Sequence, residues 1–367
     1  MAERAPGAEE RVSLASNWTL VWWRFRKHRL AMASALLLLG LYAIVLCPDF
    51  FSVQDPEATD ARLAFIPVQR VRLLDGWTPR PWVPGIVGQR NPTTLRMEWR
   101  LDEGRRVPVR LFVTGYPYRV LGVVPSRLHL LGSGPGHSVH LLGTDRLGRD
   151  QWSRLAHGTQ TSMTIGLTAV TLSVVLGVLL GGLSGYVGGL PDLIIQRVIE
   201  LLQSLPTIPI WLALTAALPR DWSPLRVFFA ITVILSLVGW TTLGREVRGR
   251  FLALREEDYV LAAELAGASR ARIIGRHMLP NFLSHIIATS TLAIPAMIIN
   301  ETALSFLGLG IRPPAISWGV LLQEAQNIQT LALAPWLLVP GVVVIVAVLA
   351  FNLVGDGLRD AADPYGS

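Results

Sequence analysis

The sequence predicts an all-α membrane protein with six transmembrane helices and a small β-containing external insert between the first two. Apolar residues make up 51% of the 367 positions and charged residues only 16%, whereas a soluble domain carries about a quarter charged residues. The charged residues flank long apolar runs and do not form basic patches interleaved with aromatic side chains. The net charge of +7 therefore indicates membrane topology and not nucleic-acid binding.

Six uncharged apolar runs are long enough to cross a membrane. A bilayer core of about 30 Å requires roughly 20 apolar residues in a helix. The qualifying runs are 31–47, 161–187, 201–218, 227–243, 282–300 and 331–355. The third run is the weakest, because Pro206 and Pro209 lie in its first turns. Neighbouring helices can satisfy the carbonyl groups that a proline frees, so we expect a kinked helix there.

The orientation follows from the basic residues in short loops, which concentrate on the cytoplasmic side. Thirteen basic residues lie on the side that holds both termini: Arg24, Arg26, Lys27, Arg29, Arg197, Arg245, Arg248, Arg250, Arg255, Arg270, Arg272, Arg276 and Arg359. The short loops opposite contain Arg220, Arg226 and Arg312. The sequence therefore predicts that the N-terminal segment 1–30 and the C-terminal tail 356–367 are both cytoplasmic. No small-residue cleavage site follows the first run, which we interpret as a retained anchor.

The segment 48–160 is then external. Its part rich in proline and tryptophan, 75–92, is typical of a loop. Apolar and polar residues alternate over 94–115 around the sequence DEGRR, a pattern that indicates a β-hairpin. We expect a small β-containing domain near 93–131; a loose lid is the alternative.

The long cytoplasmic loop 244–280 contains a basic, alanine-rich stretch. Residues 258–266 lack helix breakers, and Gly267 suits the left-handed position that ends a helix. Ser269 suits the N-cap of a second helix, which Pro280 is expected to stop. A surface of small residues (Ala262, Ala263, Ala266 and Ala268) would allow close approach by a partner, with arginines nearby for its acidic groups. The alternative is a basic loop that only satisfies the charge bias of membrane topology.

This stretch resembles the EAA loop of permease subunits of bacterial binding-protein-dependent ABC importers, in their oligopeptide/dipeptide branch. The residues that match the motif are Ala262, Ala263, Gly267, Leu279 and Pro280, whereas Leu261 and His277 depart from its general pattern. The segments 140–167, 301–311 and 352–364 resemble other parts of the same branch. The resemblance implies the six-helix type I ABC importer permease fold. It also assigns ATPase coupling to the following residues: Asp258, Tyr259, Ala262, Ala263, Gly267, Ala268, Ser269, Arg272, His277, Leu279 and Pro280.

The resemblance also implies the partners and the mechanism. A second homologous permease subunit would complete the pathway, two cytoplasmic subunits would bind ATP and Mg²⁺, and an external protein would deliver the substrate. Lys27 is the only lysine and lies in RFRKHRL, so the chain has no P-loop and we expect no cofactor in it. We expect a non-catalytic subunit of the bacterial inner membrane that imports peptides by alternating access. Nickel chelates, oligosaccharides and peptide antibiotics are alternative substrates, and a membrane scaffold or sensor is the alternative function.

Three further features have two interpretations each. Glu301, at the end of an apolar run, could line the pathway, or it could pair with Arg312 or cap its helix. The histidines at 129, 137 and 140 could bind a metal, although loop residues are the simpler interpretation. The glycines between 177 and 189 favour close helix packing, with pore lining as the alternative. We interpret the aspartates of LGTDRLGRD, Asp145 and Asp150, as caps of the helix that leads into the second span.

Overall fold

The protein is a helical bundle with a small antiparallel sheet at one end. The computed structural model describes residues 17–75, 78–93, 97–134 and 137–362. The first elements are α1 (Asn17–Lys27), α2 (Arg29–Leu46), α3 (Pro48–Phe51), β1 (Trp82–Arg90), β2 (Met97–Val120), β3 (Val124–Ser133) and α4 (Gln151–Val187). They are followed by α5 (Gly189–Ser204), α6 (Thr207–Ala216), α7 (Pro224–Leu254), α8 (Asp258–Leu265), α9 (Arg270–Phe306), α10 (Trp318–Gln323), α11 (Ile328–Leu333) and α12 (Val339–Ala362). Parts of the predicted N-terminal segment and C-terminal tail, 1–16 and 363–367, lie outside the described residues.

The predicted membrane helices are present, with one difference in the third. Five helices of the described chain are long and apolar enough to cross a membrane: α2, α4, α7, α9 and the helix Pro335–Ala362 that contains α12. The expected kinked third span is a broken pair instead, because α5 and α6 meet at 89°. Leu205 and Pro206 are both extended at this break, as expected where a proline disfavours helical geometry in the residue before it. Counted as one span, the pair makes six.

Several helices extend beyond the apolar runs from which they were predicted. α4 begins ten residues before its run, at Gln151, so the last part of the predicted insert 48–160 is helical. α7 continues to Leu254, through the first part of the predicted loop 244–280. Charged residues end the membrane-embedded part of a helix but are compatible with helical backbone. The apolar runs therefore predicted the spans but underestimated the helices.

Glycines bring α4 and α7 into backbone contact. The two helices run parallel, and a Cβ atom added to Gly181 would lie 2.4 Å from the carbonyl oxygen of Gly244. A Cβ atom on Gly185 would lie 2.6 Å from the carbonyl oxygen of Arg248. The Gly-rich segment of α4 therefore serves helix packing, as predicted, and is not exposed to a pore along this face.

The segment before α4 has one of the two predicted caps. Asp150 is the N-cap of α4, and its carboxylate accepts a hydrogen bond from the backbone N–H of Ser153 at 2.8 Å. Asp145 does not cap the helix. It is buried and pairs with Arg149 and Arg154, both of which also contact Glu324 after α10. The ion pairs around Asp145 therefore connect the start of α4 to the loop between α9 and α12.

Glu301 lies within α9 and has no exposed surface. Its carboxylate accepts hydrogen bonds from the hydroxyl groups of Ser162 on α4, at 2.8 Å, and Ser305, at 2.7 Å. Its partners are thus serines and not Arg312. Burial gives no support to a pathway role in this conformation, and that role stays a prediction.

The insert contains a three-stranded antiparallel sheet of order β1-β2-β3. A β-containing insert was predicted, but the hairpin turn was not at DEGRR: residues 102–106 lie inside β2, opposite a register shift between Pro84 and Gly85. The pairing of β1 with β2 begins at Arg90↔Met97, and the segment interpreted as loop contains β1. Proline is tolerated there because β1 is an edge strand. Val83, Val107, Val109 and Val139 form a buried cluster, so the insert is a packed domain and not a loose lid.

Contacts around α3 hold the sheet to the bundle. The Tyr116 hydroxyl group donates to the Asp49 carboxylate at 2.9 Å, and His157 of α4 lies 3.3 Å from the same oxygen. His129 is buried, with its Nδ1 2.8 Å from the carbonyl oxygen of Asp49 and its Nε2 3.0 Å from that of Tyr116. Of the predicted histidine cluster, His129 thus serves packing, and His140 contacts Asp150 at 3.2 Å.

We expect acid to loosen the sheet from the bundle through Asp49. Burial raises the pKa of Asp49, but its contacts with His157 and Tyr116 outweigh this and lower the pKa below its usual value. A lowered pKa in the folded state stabilises the fold above the unfolded pKa, about 3.9, and this contribution is lost as the pH falls through the folded pKa. Hydrogen-exchange protection of β2 and β3 should therefore fall as the pH drops below the unfolded pKa of about 3.9.

The matched control is Asp49→Asn. It should weaken the docked sheet by about 1–3 kcal/mol at neutral pH and flatten the acid dependence. An acid response that is identical in the wild type and in Asp49→Asn would contradict the role of this carboxylate.

Candidate functional site

The residues after α7 form a protrusion at the end of the bundle opposite the sheet. α4 starts beside the sheet, and α7 packs parallel to it, so both helices run away from the sheet. The protrusion, defined as residues 258–280, consists of α8, a turn at Gly267 and the beginning of α9. The two short helical segments predicted from sequence are present.

Gly267 ends α8 in the predicted way. Its φ angle is +79°, in the left-handed region that glycine adopts at little cost. The N–H of Gly267 donates to the carbonyl oxygen of Glu264 at 2.9 Å, and that of Ala268 donates to Ala263 at 3.0 Å. This pair of bonds is the Schellman motif. The turn is therefore set by local hydrogen bonding.

The second segment begins as predicted but does not end where predicted. The Ser269 hydroxyl oxygen accepts from the N–H of Arg272 at 3.4 Å as the N-cap. Pro280 was expected to stop the helix, yet α9 continues to Phe306. A π-helical turn, Ile273–Met278, precedes the proline. The wider turn changes the hydrogen-bond pattern before Pro280, and proline is tolerated in the first turn of the α-helical segment that follows.

One face of the protrusion is packed against the bundle. Val260, Ile273 and Met278 are buried in a cluster with residues of α7 and α9, among them Phe251 and Phe282. The Tyr186 hydroxyl group at the end of α4 also donates to the Glu264 carboxylate at 2.7 Å. The protrusion is therefore in direct contact with α4, α7 and α9.

The opposite face of the protrusion is exposed and apolar. The side chain of Leu265 is 90% exposed and that of Leu261 is 43% exposed, and the two lie four residues apart on α8. Ala262 and Ala266 are exposed, whereas Ala263 and Ala268 are half-buried against the core. The predicted surface of four alanines is thus divided between two faces, because successive helical residues point in different directions.

The remaining residues with a predicted coupling role are distributed over the same protrusion. Asp258, Tyr259, Gly267, Ser269, Arg272 and Pro280 are exposed, while His277 and Leu279 are half-buried. Sequence reasoning missed Leu265, which has the highest exposure among the large apolar side chains of the described chain. The spacing of Leu261 and Leu265 is the signal that could have identified this exposed pair.

A cavity of about 410 Å³ opens beside the protrusion. Arg250 of α7, Asn281 and His285 of α9, and Arg359 of α12 contribute to its wall. Asn281 also donates a hydrogen bond to the Tyr259 hydroxyl group at 3.0 Å. Asp360 of α12 also lines the cavity, so its wall carries charges of both signs beside the exposed apolar face.

We expect Gly267→Ala and Gly249→Ala to have opposite effects. Neither glycine has an atom within 4 Å of an added Cβ atom, but only Gly267 has a positive φ angle. Gly267→Ala should therefore destabilise the protrusion by about 1–2 kcal/mol, whereas Gly249→Ala, within α7, should stabilise its helix by about 1 kcal/mol. Hydrogen-exchange protection of residues 258–266 measures the first effect. Equal protection in both variants would contradict the assigned turn.

Family comparisons cover the bundle and the N-terminal helices. Residues 173–365 match the family "Binding-protein-dependent transport system inner membrane component", and residues 16–67 match "N-terminal TM domain of oligopeptide transport permease C". A solved structure of the MetNI methionine ABC transporter, in inward facing conformations, aligns with a TM-score of 0.42 at 16% identity. This alignment covers 56% of this chain and 95% of that chain.

Two bacterial peptide permeases match the greater part of the chain. The oligopeptide transport system permease protein OppC of Bacillus subtilis is 37% identical over 231 residues, which are 63% of this chain and 73% of the relative. The dipeptide transport system permease protein DppC of Alkalihalophilus pseudofirmus is 38% identical over 232 residues, with the same two coverages. The chain therefore belongs to the inner membrane components of binding-protein-dependent transport systems, as a non-catalytic permease subunit of the oligopeptide and dipeptide branch.

Proposed function

We propose that this chain is one transmembrane subunit of an ATP-driven importer for oligopeptides or dipeptides. The names of its relatives support the substrate class. The observation that carries the proposal is the protrusion, which has one face packed into the bundle and an exposed apolar face. Since no lysine other than Lys27 exists in the chain, ATP has to be bound elsewhere.

The protrusion transmits the state of the ATPase to the bundle. Docking of Leu261 and Leu265 in a groove of an ATP-binding subunit would attach that subunit to α8. Movement of α8 would then displace the buried cluster that joins it to α7 and α9. ATP binding drives alternating access if it favours one packing of these helices over the other.

The proposed assembly contains this chain, a second homologous permease subunit and two ATP-binding subunits that hold ATP and Mg²⁺. An external binding protein delivers the substrate on the side of the sheet. The basic residues in the short loops favour a cytoplasmic location for both termini and for the protrusion. The exposed arginines Arg270, Arg272 and Arg276 would meet acidic groups of the ATPase.

Uptake by the reconstituted assembly tests this function. Vesicles that contain this chain with its partner permease, ATPases and binding protein should accumulate labelled peptides only when ATP is present on the protrusion side. ATP-dependent uptake of nickel chelates or oligosaccharides, without uptake of peptides, would overturn the substrate class. A correctly assembled complex that transports none of these solutes would favour a scaffold or sensor.

A further inference from the structure

The long pair of strands β2 and β3 ends in an exposed apolar tip. We define the ribbon as Val109–Val120 of β2 with Val124–Ser133 of β3, which pair from Val109↔Ser133 to Val120↔Val124 with a register shift between Thr114 and Tyr118. At its tip, the side chains of Leu121, Val123 and Val124 are 69%, 76% and 59% exposed. Three neighbouring, solvent-exposed large apolar side chains form a patch of the kind that marks an interaction site.

The turn at this tip contains a leucine where the backbone disfavours one. Leu121 has a φ angle of +49° and Gly122 of +74°, and the N–H of Val123 donates to the carbonyl oxygen of Val120 at 3.0 Å. Positive φ angles at both central residues are the pattern of a type I′ turn, which favours asparagine or aspartate followed by glycine. Neither turn geometry nor burial explains an apolar residue at position 121. A residue kept in an unfavourable conformation points to a function.

The ribbon carries charge of one sign only. No aspartate or glutamate occurs between residues 104 and 144. The side chains of Arg110, Arg119 and Arg127 are exposed on the ribbon, and the last two lie close to the tip. A cationic surface with an apolar tip suits an anionic surface with an apolar interior.

The contacts of the ribbon attach it near the ends of two predicted membrane helices. α3 begins two residues after the membrane helix α2 ends, and it binds the ribbon through Tyr116 and His129. The tip begins five residues beyond Tyr116, which corresponds to about 16 Å of extended strand. His157, which contacts α3, lies four residues before the apolar run of α4, or about 6 Å along the helix. The tip is therefore within reach of the lipid headgroups.

We propose that the tip of the ribbon inserts into the membrane leaflet on the side of the sheet. Leu121, Val123 and Val124 enter the boundary between headgroups and acyl chains, and Arg119 and Arg127 bind the phosphate groups of anionic phospholipids. The membrane contact holds the insert in a fixed orientation beside the bundle. This surface is separate from the protrusion and does not depend on the coupling role proposed for it.

A fluorescent label at the tip tests the proposal in the full-length protein. Cys47, the only cysteine, is first removed by Cys47→Ser, and Val123→Cys or Leu121→Cys then carries the environment-sensitive fluorophore NBD. The protein is placed in nanodiscs of phosphatidylcholine, with or without phosphatidylglycerol. Emission from both tip positions should shift to shorter wavelengths in the anionic nanodiscs, and nitroxide-labelled lipid should quench it several-fold.

Two controls distinguish membrane insertion from other causes. Gln89→Cys, exposed on β1, should stay unquenched in both lipids. Leu121→Asn introduces a residue that suits the turn, so it should reduce quenching at Val123→Cys while hydrogen-exchange protection of the ribbon is unchanged. Tip labels as exposed to water as the label at position 89 would overturn the proposal. Shielding that requires addition of the external binding protein would also overturn it, in favour of a protein partner.

Discussion

Leu265→Asp is expected to abolish most ATP-dependent uptake while the chain still folds and inserts. The side chain is 90% exposed, so a carboxylate there costs the isolated chain little. The proposed docking would bury the same position, and burial of a leucine contributes about 1.5–3 kcal/mol. Since about 1.4 kcal/mol is a factor of ten in affinity, binding of the ATPase and transport should fall about tenfold or more. Uptake by reconstituted vesicles and co-purification of the ATPase measure the two effects.

Ile328→Asp is the matched control for this change. Ile328 is 82% exposed and lies in α11, between the bundle-spanning helices α9 and α12 at the end away from the protrusion. The control replaces a similarly exposed large apolar side chain with the same carboxylate. It should leave co-purification of the ATPase unchanged. If Leu265→Asp assembles and transports like the wild type, the exposed face of α8 is not the docking surface.

Gly181→Leu is expected to destabilise the bundle strongly, because it forces two helix backbones apart. A Cβ atom at this position would lie 2.4 Å from the carbonyl oxygen of Gly244, 3.0 Å from its carbonyl carbon and 3.0 Å from its Cα atom. Backbone atoms cannot rotate away, so α4 and α7 would have to separate. Overpacking of this kind costs about 3 kcal/mol. Thermal unfolding of the purified chain in detergent should show a lower transition temperature.

Gly40→Leu provides the comparison. Gly40 lies in the membrane helix α2, and a Cβ atom added there meets no atom within 4 Å. The substitution is chemically identical, but it projects into open space and should leave the transition temperature close to that of the wild type. Equal destabilisation by both substitutions would show that loss of glycine itself, and not the contact between α4 and α7, determines the effect.

The local features of the protrusion were predictable because short-range rules determine them. Gly267 and Ser269 occupy the cap positions that their backbone and hydroxyl chemistry favour. The continuation of α9 through Pro280 was not predictable from those rules, since the π-helical turn before it involves residues that pack on α7. The exposure of Leu265 was also not predictable, because composition does not show which face of α8 packs against the bundle.

In the insert, too, the sequence predicted the type of secondary structure but not the positions of the turns. Alternation of apolar and polar residues predicted strand, yet the pattern runs through Asp102 and Arg106 and does not mark a turn there. The turn that closes β2 and β3 has the unusual residue Leu121, so the usual turn chemistry was absent from the sequence. Register depends on which strands pair, and the pairing of β1 with β2 is set by the buried valines of the insert.

Photocrosslinking from position 265 tests the coupling role of the protrusion most directly. Benzoylphenylalanine in place of Leu265 would report which protein lies against the exposed face of α8 in the assembled complex. We expect a covalent adduct with the ATP-binding subunit from position 265 and none from position 328. An assembled, transport-active complex in which position 265 yields no adduct with the ATPase would contradict this coupling role.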